Sequence, residues 1–362
     1  MSADPPAREL RIGTRTSPMA LAQTAHVTRL LHALDPRLRI VTVPVQSESG
    51  LWHGDLSGTG GKGLFVKALD ARLQSGDIDL ALHCLKDVPG DVPLREGLVV
   101  AAHLERADVR DALVVPEHSG VRRLDDLPPG ARIGTASVRR RAQLLRIRPD
   151  LRIVPVRGAV GTRLDLLDGG RDAHAQMHTQ TRTQTPTQKH AQTPSHTHGR
   201  PHAHSHPPAH PHAELDALVL ASAGLARLGL THRATQLFEV DELLPAVGAG
   251  VLSLECRRHD TSLAALLEQL NHERTLTEAT AERVMLQGLR GHCNSPIAGY
   301  CVTGPGGRLS LRGKVFSPDG TAFAQVHLHS DAPHDPAALG AHAATELLSQ
   351  GARALIDTGA PL

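Results

Sequence analysis

The sequence predicts an α/β protein of two or three domains, with mostly parallel sheets over most of its length and a smaller α+β unit at the end. Three observations predict this. A chain of 362 residues is too long for one ordinary core and suits units of about 100 residues each. Between residues 10 and 160, apolar strands alternate with stretches of helical periodicity, the pattern of repeated strand–helix–strand units. Past Asn271 the pattern changes to one helix through Ala281 to Leu286. Short alternating segments follow, LSLRGKVFS and AFAQVHLHS, which suit an antiparallel sheet.

The elements read in order as follows. Leu10 to Gly13 is a short strand, and Ser17-Pro18 opens a helix with Ser as N-cap and Pro at the first helical position. Leu21, Ala25, Leu30 and Leu34 recur along that helix, and Leu38 to Val45 alternates as a strand does. Leu64 to Leu73 is a helix stopped near Gly76, and Ile78 to Leu82 is a buried strand that delivers His83, Lys86 and Asp87 to its carboxyl end. LDLLDGGRDA is a helix with a glycine stop, and LDALVLASAGLARLGL resumes a strand and a helix. Between them, residues 174–212 are rich in His, Thr, Gln and Pro and lack apolar periodicity. They read as a disordered loop inserted within a domain. Closure entropy grows only logarithmically with length, so such an insertion costs little.

Composition excludes several classes. Aromatic residues make up only 2%, so the cores rest on Leu, Val, Ile and Ala, and stacking platforms for nucleic acid are lacking. The net charge of +2 gives no global field toward DNA or lipid. The four cysteines, Cys84, Cys256, Cys293 and Cys301, form no CxxC pair or disulfide framework, which suits a reducing compartment. No apolar run reaches the roughly 18 residues of a membrane span, and the N-terminus has no signal-like apolar region. The expectation is a soluble cytoplasmic protein that binds neither nucleic acid nor membrane.

The chemistry concentrates in arginines. Nine of them (Arg132, Arg139, Arg140, Arg141, Arg146, Arg148, Arg152, Arg157 and Arg163) lie close together with Asp150 as the nearest acid. Arg146 and Arg148 fall late in a helix, where the dipole favours cations. Arg139 and Arg140 follow a cap at Thr135 or Ser137 and so sit in a first turn that disfavours positive charge. That placement predicts an anion shared by exposed N–H groups and guanidinium forks, although a solvated basic face would read the same way. Arg15 beside Ser17, and Arg157 and Arg163 around a glycine turn, repeat the arrangement. Arginines at three strand ends point to one polyanionic ligand spanning a cleft.

Lys86-Asp87 at a strand end makes Asp87 a candidate to stabilise a cation or move a proton, though an isolated Lys-Asp is usually a surface pair. GTGGKGLF fails the phosphate-loop pattern, because Lys62 precedes Gly, and reads as a flexible loop bringing Lys62 to the cleft. Cys293 stands in the turn-rich LRGHCNSPIAGY, where Arg290 and His292 favour a thiolate. A non-catalytic anion-binding module would also explain the arginines. It would leave Cys293 and Asp87 without a use.

Eight motifs, LRIGTRTSPMALAQ, GGKGLFVKAL, LHCLKDVP, IGTASVRRRAQL, VRGAVGTRLDLLDGG, LVLASAGLARLGL, LPAVGAGVLSLECR and GHCNSPIAGY, follow the order of the hydroxymethylbilane synthase (porphobilinogen deaminase) family, which this chain resembles over nearly its whole length outside the insertion. The resemblance implies two periplasmic-binding-protein-like α/β domains with a cleft between them, plus a smaller α+β C-terminal domain. It divides the chain into a discontinuous domain 1 (8–102 and 250–270), domain 2 (103–249, with the insertion) and domain 3 (271–362). It implies a transferase in porphyrin and heme biosynthesis that joins four porphobilinogens head to tail, releases ammonia, and frees linear hydroxymethylbilane. The primer is dipyrromethane, attached by a thioether to Cys293. Each porphobilinogen becomes an azafulvene that the terminal pyrrole attacks. Asp87 matches the catalytic aspartate. Lys86, Thr135, Ser137, Arg139 and Arg140 match cofactor-binding positions, and Arg15, Ser17, Lys62, Arg157 and Arg163 match substrate-binding ones. The implied protein is a monomer that hands its product to uroporphyrinogen-III synthase.

The chain departs from the family at Cys84 (usually Ser), Ala159 (Asn), Ala249 (Gln), His292 (Gly), Gly58 (Lys) and residues 47–50 (an Arg-Gly-Asp segment). No metal is expected. The i,i+2 histidines from His196 to His212 chelate weakly and unselectively at best, with no partner spaced for a closed site.

Overall fold

The computed structural model describes residues 9–45, 64–169, 214–292, 294–330 and 335–357. The inserted segment 174–212 lies outside them. A first five-stranded sheet has the order β2-β1-β3-β10-β4, from β1 (Glu9–Thr14), β2 (Arg39–Pro44), β3 (Leu80–Cys84), β4 (Leu98–His103) and β10 (Leu252–Arg257). A second has the order β7-β6-β8-β5-β9, from β5 (Asp111–Val114), β6 (Arg132–Gly134), β7 (Arg152–Val154), β8 (Ala217–Ala221) and β9 (Gln236–Leu237). The third is antiparallel, from β11 (Ile297–Thr303), β12 (Leu309–Phe316) and β13 (Phe323–Ser330).

The fold class is the one the sequence predicts, with one correction. β1 pairs in parallel with β2 and β3, but β10 runs antiparallel between β3 and β4. In the second sheet β6 pairs in parallel with β7 and β8, while β5 is antiparallel to β8 and β9. Each sheet therefore has one reversed strand, and each is the first strand entered after the chain crosses from the other sheet. A strand arriving from a neighbouring domain enters at the opposite end from one fed by a local helix. Residues after the second sheet thus complete the first.

Local chemistry sets the helices. Ser17 caps α1 (Pro18–Leu34), its Oγ accepting the Ala20 N–H at 3.2 Å. α2 (Leu64–Gln74) ends at Gly76, whose φ of 76° suits glycine. α3 (Val138–Ile147) and α4 (Val160–Gly169) flank β7, and the short α5 (Ser222–Arg227) follows β8. α6 (Thr261–Glu268) is capped by Asp260 and covers the first sheet beside α1, burying Leu263 and Leu267 with Leu10, Ile12, Val27 and Leu254. In the third domain α7 (Glu273–Gly288) and α8 (Pro336–Ser349) pack on the small sheet, with α9 (Ala352–Asp357) closing it. A Cβ on Gly340 would lie 2.3 Å from the Ala281 carbonyl, so glycine permits this helix contact. Among the described residues no helix is long and apolar enough to cross a membrane.

The two crossing segments are joined to each other and to the third domain. Ala107 N–H donates to Gly250 O at 3.2 Å, and Gly250 has φ of 81° with no room for a Cβ against the Ala107 carbonyl. Arg106, buried between them, forms a fork on Glu282 of α7 at 2.8 Å and also reaches Glu278 and the Ala249 and Cys301 carbonyls. Glu282 in turn accepts the Gly248 and Cys301 N–H groups. Every face of this buried ion pair is therefore satisfied.

Candidate active site

The first-domain candidates stand at the carboxyl ends of two neighbouring parallel strands. Arg15 follows β1, and Ser17 uses its hydroxyl as the α1 cap. β3 begins two residues later than expected and runs to Cys84, because Ile78 is held in a turn to Arg72 O. His83 is consequently a buried residue within the strand, bonded to Glu255 at 2.8 Å, and not one delivered past its carboxyl end. Lys86 and Asp87 lie just past the strand in a single 3₁₀ turn (Leu85–Asp87), with Asp87 exposed. Surrounding protein lowers the pKa of Arg15, while Asp87 and Cys84 act in the other direction, so Arg15 and Asp87 share one field.

In the second domain, Ser137 caps α3 by accepting the Arg140 N–H, and Thr135 Oγ1 accepts the Ser137 N–H at 3.2 Å. Arg139 and Arg140 occupy the first turn, as the sequence predicts, and both are buried. An anion for them is supplied from within the chain. Asp111, the first residue of β5, takes Arg139 Nη2 and Arg140 Nη2 on its two oxygens at 2.7 Å each. Their other Nη1 atoms reach Leu244 O and Val219 O, while Arg140 Nε has no partner among the described residues. The two arginines hold the buried Asp111 carboxyl far below its ordinary range against the opposing cost of burial. Arg163 differs. Its Nε donates to Gly158 O at 2.9 Å, no described carboxylate bridges it, and burial with the charges of Arg140 and Arg157 pulls its pKa down. The guanidiniums of Arg140 and Arg157 thus act on Arg163 beside the glycine turn, where Gly158 has φ of 107°.

Removing Asp111 tests this reading. Asp111→Asn leaves two buried guanidiniums sharing a neutral amide, and we expect a loss of about 3–5 kcal/mol in stability, read as a lowered unfolding midpoint of the second domain. An unchanged midpoint would show that the pair is not held by this carboxylate.

Lys62 and Cys293 lie outside the described residues, but the chain on either side of Cys293 is well placed. Gly90 N–H, three residues after Asp87, donates to Gly291 O at 3.2 Å. Arg283 of α7 donates its two Nη groups to the carbonyls of Val88 and Pro89. The segment leading from Asp87 is thereby fastened to the segment leading into Cys293. Sequence reading missed Arg283 and Asp111, since neither stands in a strand-end motif. It also missed Arg227, which donates to Gly250 O at 2.9 Å and feels Cys84 from the second domain.

The described cysteines are poor nucleophiles. Burial pushes Cys256 up to about 11 and Cys301 up to about 12, and burial and Asp87 raise Cys84, whose sulfur accepts the Gln23 amide at 3.1 Å.

Two family models match almost end to end. "Porphobilinogen deaminase, dipyromethane cofactor binding domain" matches residues 10–179 and 208–265, and "Porphobilinogen deaminase, C-terminal domain" matches 276–349. The chain belongs to the porphobilinogen deaminase family. "Porphobilinogen deaminase 2" of Streptomyces coelicolor is 44% identical over 348 residues, covering 96% of each chain. Like the family, the protein is a transferase of porphyrin biosynthesis, a hydroxymethylbilane synthase that uses a dipyrromethane cofactor. The porphobilinogen deaminase match breaks only inside the low-complexity insertion, between 179 and 208. Among solved structures, a nutrient binding protein from Burkholderia cenocepacia bound to methionine shares 12% identity over 72% of this chain and 90% of its own, with a TM-score of 0.35. The alkanesulfonate-binding protein SsuA from Xanthomonas axonopodis shares 18% over 79% and 80%, at 0.32. Scores this low carry no weight for fold or ligand.

Proposed function

We propose that Cys293 holds the dipyrromethane cofactor through a thioether, and that Asp87 serves each condensation of porphobilinogen in the cleft. The observation that carries this reading is the fastening of the Asp87 turn to the Cys293 segment through Gly90, Gly291 and Arg283. The domain division is the one implied by the resemblance: 8–102 with 250–270, 103–249, and 271–362.

The residues present fit a polycarboxylate cofactor. Arg163, crowded by Arg140 and Arg157 without a described counter-ion, is the arrangement that carboxylate side groups would neutralise. Lys86, Thr135, Ser137, Arg139 and Arg140 would hold the cofactor. Arg15, Ser17, Lys62, Arg157 and Arg163 would bind the carboxylates of incoming substrate. Ser17 and Ser137 spend their hydroxyls as helix caps, so their part is to fix the N-terminal turns whose N–H groups face anions. Arg139 and Arg140 would act with Asp111 in place, as a rigid pair with one excess charge. When bound, the cofactor supplies a primer with a free pyrrole α-carbon. Asp87, exposed at the strand end, would accept pyrrole N–H bonds and offset the positive charge that forms as ammonia leaves.

Intact mass tests the reading directly. The purified protein should exceed its chain mass by two pyrrole units, and that increment should map to Cys293. A chain mass with nothing added would overturn the assignment. The protein is further proposed to be a cytoplasmic monomer that passes its product to uroporphyrinogen-III synthase.

The insertion 174–212 has no place in this chemistry. Deleting it and rejoining the ends with a short turn should leave the turnover rate unchanged. A large loss of activity in a deletion variant with native circular dichroism would make the segment part of the mechanism.

A further inference from the structure

On the α2 face of the first sheet, three titratable side chains from distant parts of the chain meet in the interior. Asp70 comes from α2, His83 from β3 and Glu255 from β10. One ligand atom of each lies within 4.8 Å of the others, and all three residues are buried. His83 Nε2 and Glu255 Oε2 are 2.8 Å apart. The remaining oxygens, Asp70 Oδ1 and Glu255 Oε1, are shielded from solvent and have no hydrogen-bond partner among the described residues. Glu255 is 1% exposed, so its orphan oxygen stands inside the cluster and not at a wet edge.

Among the described residues, the one permanent cation paired with the cluster is partly exposed. The groups facing the cluster are two carboxylates, one imidazole, and Arg95, whose Nε lies 3.7 Å from Asp70 Oδ2 on a side chain 41% exposed. His103 faces the neighbouring Ser253 and not the carboxylates. Buried carboxylates that lack a cation are costly, and such groups pair or coordinate metals.

The spacing suits an ion. Ligand atoms about 2.0–2.2 Å from a tetrahedral metal lie roughly 3.3–3.6 Å from one another, within the spread seen here. One imidazole nitrogen and two carboxylate oxygens form a mixed donor set suited to first-row divalent cations. We propose that Asp70, His83 and Glu255 form a structural site for a divalent cation such as Zn²⁺ or Mn²⁺. The cation would tie α2, which follows the Lys62 segment, to the two strands that lead into the Asp87 turn and back from the second domain. The site is a brace, separate from the condensation chemistry. Residues 70, 83 and 255 fit no ligand-spacing motif, so sequence gave no sign of it.

The test uses the full chain with its covalent cofactor, expressed with added Zn²⁺ or Mn²⁺ and desalted. Elemental analysis should find about one equivalent more metal in the wild type than in Glu255→Gln. Added Mn²⁺ should raise the thermal midpoint of chelator-treated wild type by several degrees and leave that of Glu255→Gln unmoved. Asp70→Asn, which keeps side-chain shape, serves as the second variant if Glu255→Gln fails to fold by circular dichroism. Equal metal content and equal thermal gain in wild type and variants would place the ion elsewhere, on the histidines of 174–212 above all, and would overturn the proposal. So would a wild type whose midpoint ignores both metals, since a proton would then be the occupant.

Discussion

Cys293→Ser is expected to give a folded protein of unmodified chain mass that makes no hydroxymethylbilane. Attachment of the cofactor requires a sulfur nucleophile strong enough to attack an electrophilic pyrrole methylene near neutral pH. A thiolate meets that need, whereas a serine hydroxyl without an adjacent base is far weaker. The other cysteines offer no substitute. Cys256 and Cys301 are wholly buried with pKa values pushed to about 11 and about 12, and Cys84 is raised by burial and by the negative charge of Asp87. Activity should therefore fall to the assay background, with native circular dichroism. Product formation at the wild-type rate would end the assignment of the cofactor to this cysteine.

Much of this arrangement was legible in the sequence, for identifiable reasons. Ser17-Pro18 and Ser137 announce helix starts because their hydroxyls replace missing backbone acceptors, and both caps form. The antiparallel third sheet was legible because residues 309–316 and 323–330 alternate between its faces, and apolar side chains fall on the covered one. What was not legible depends on contacts between distant residues. The reversal of β5 and β10 follows from the chain crossing twice between domains, which no local pattern encodes. Arg139 and Arg140 announced a nearby anion, but a dipole argument cannot say whether that anion is a ligand or Asp111, 28 residues earlier in the chain. The apolar run alone places His83 just past a strand ending at Leu82; two further residues of pairing with β10 put it in the interior.

The position of Asp111 also changes what the arginines can contribute. With one carboxylate between two guanidiniums, the buried group keeps a single net positive charge, and Arg163 lies near enough to feel Arg140. The first domain places Arg15 and Lys86 beside Asp87. The candidate residues are thus mostly cationic, with the exposed Asp87 carboxylate at a strand end. That polarity suits a growing chain in which every pyrrole adds two carboxylates, while the charge that forms at the reacting carbon is positive.

Asp87→Asn is expected to retain the covalent cofactor and lose most turnover, by about 10²–10³-fold, the usual scale for removing one electrostatic contact to a developing charge. The amide keeps the shape of the side chain and can still accept a pyrrole N–H through its carbonyl. What it lacks is the negative charge that offsets a cation. The turn that carries it should persist, because it is set by the Val88 N–H bond to Leu85 O and by the clamp of Arg283 on Val88 and Pro89, none of which uses the Asp87 carboxylate. The variant should therefore fold, carry dipyrromethane, and accumulate a partly extended oligopyrrole visible as added mass on Cys293. Loss should fall on kcat more than on KM, since the arginines proposed to bind substrate carboxylates are untouched. Turnover within a few-fold of wild type would show that the charge at this strand end is not what the reaction uses. Loss of the cofactor itself would assign Asp87 to assembly of the primer and not to its extension.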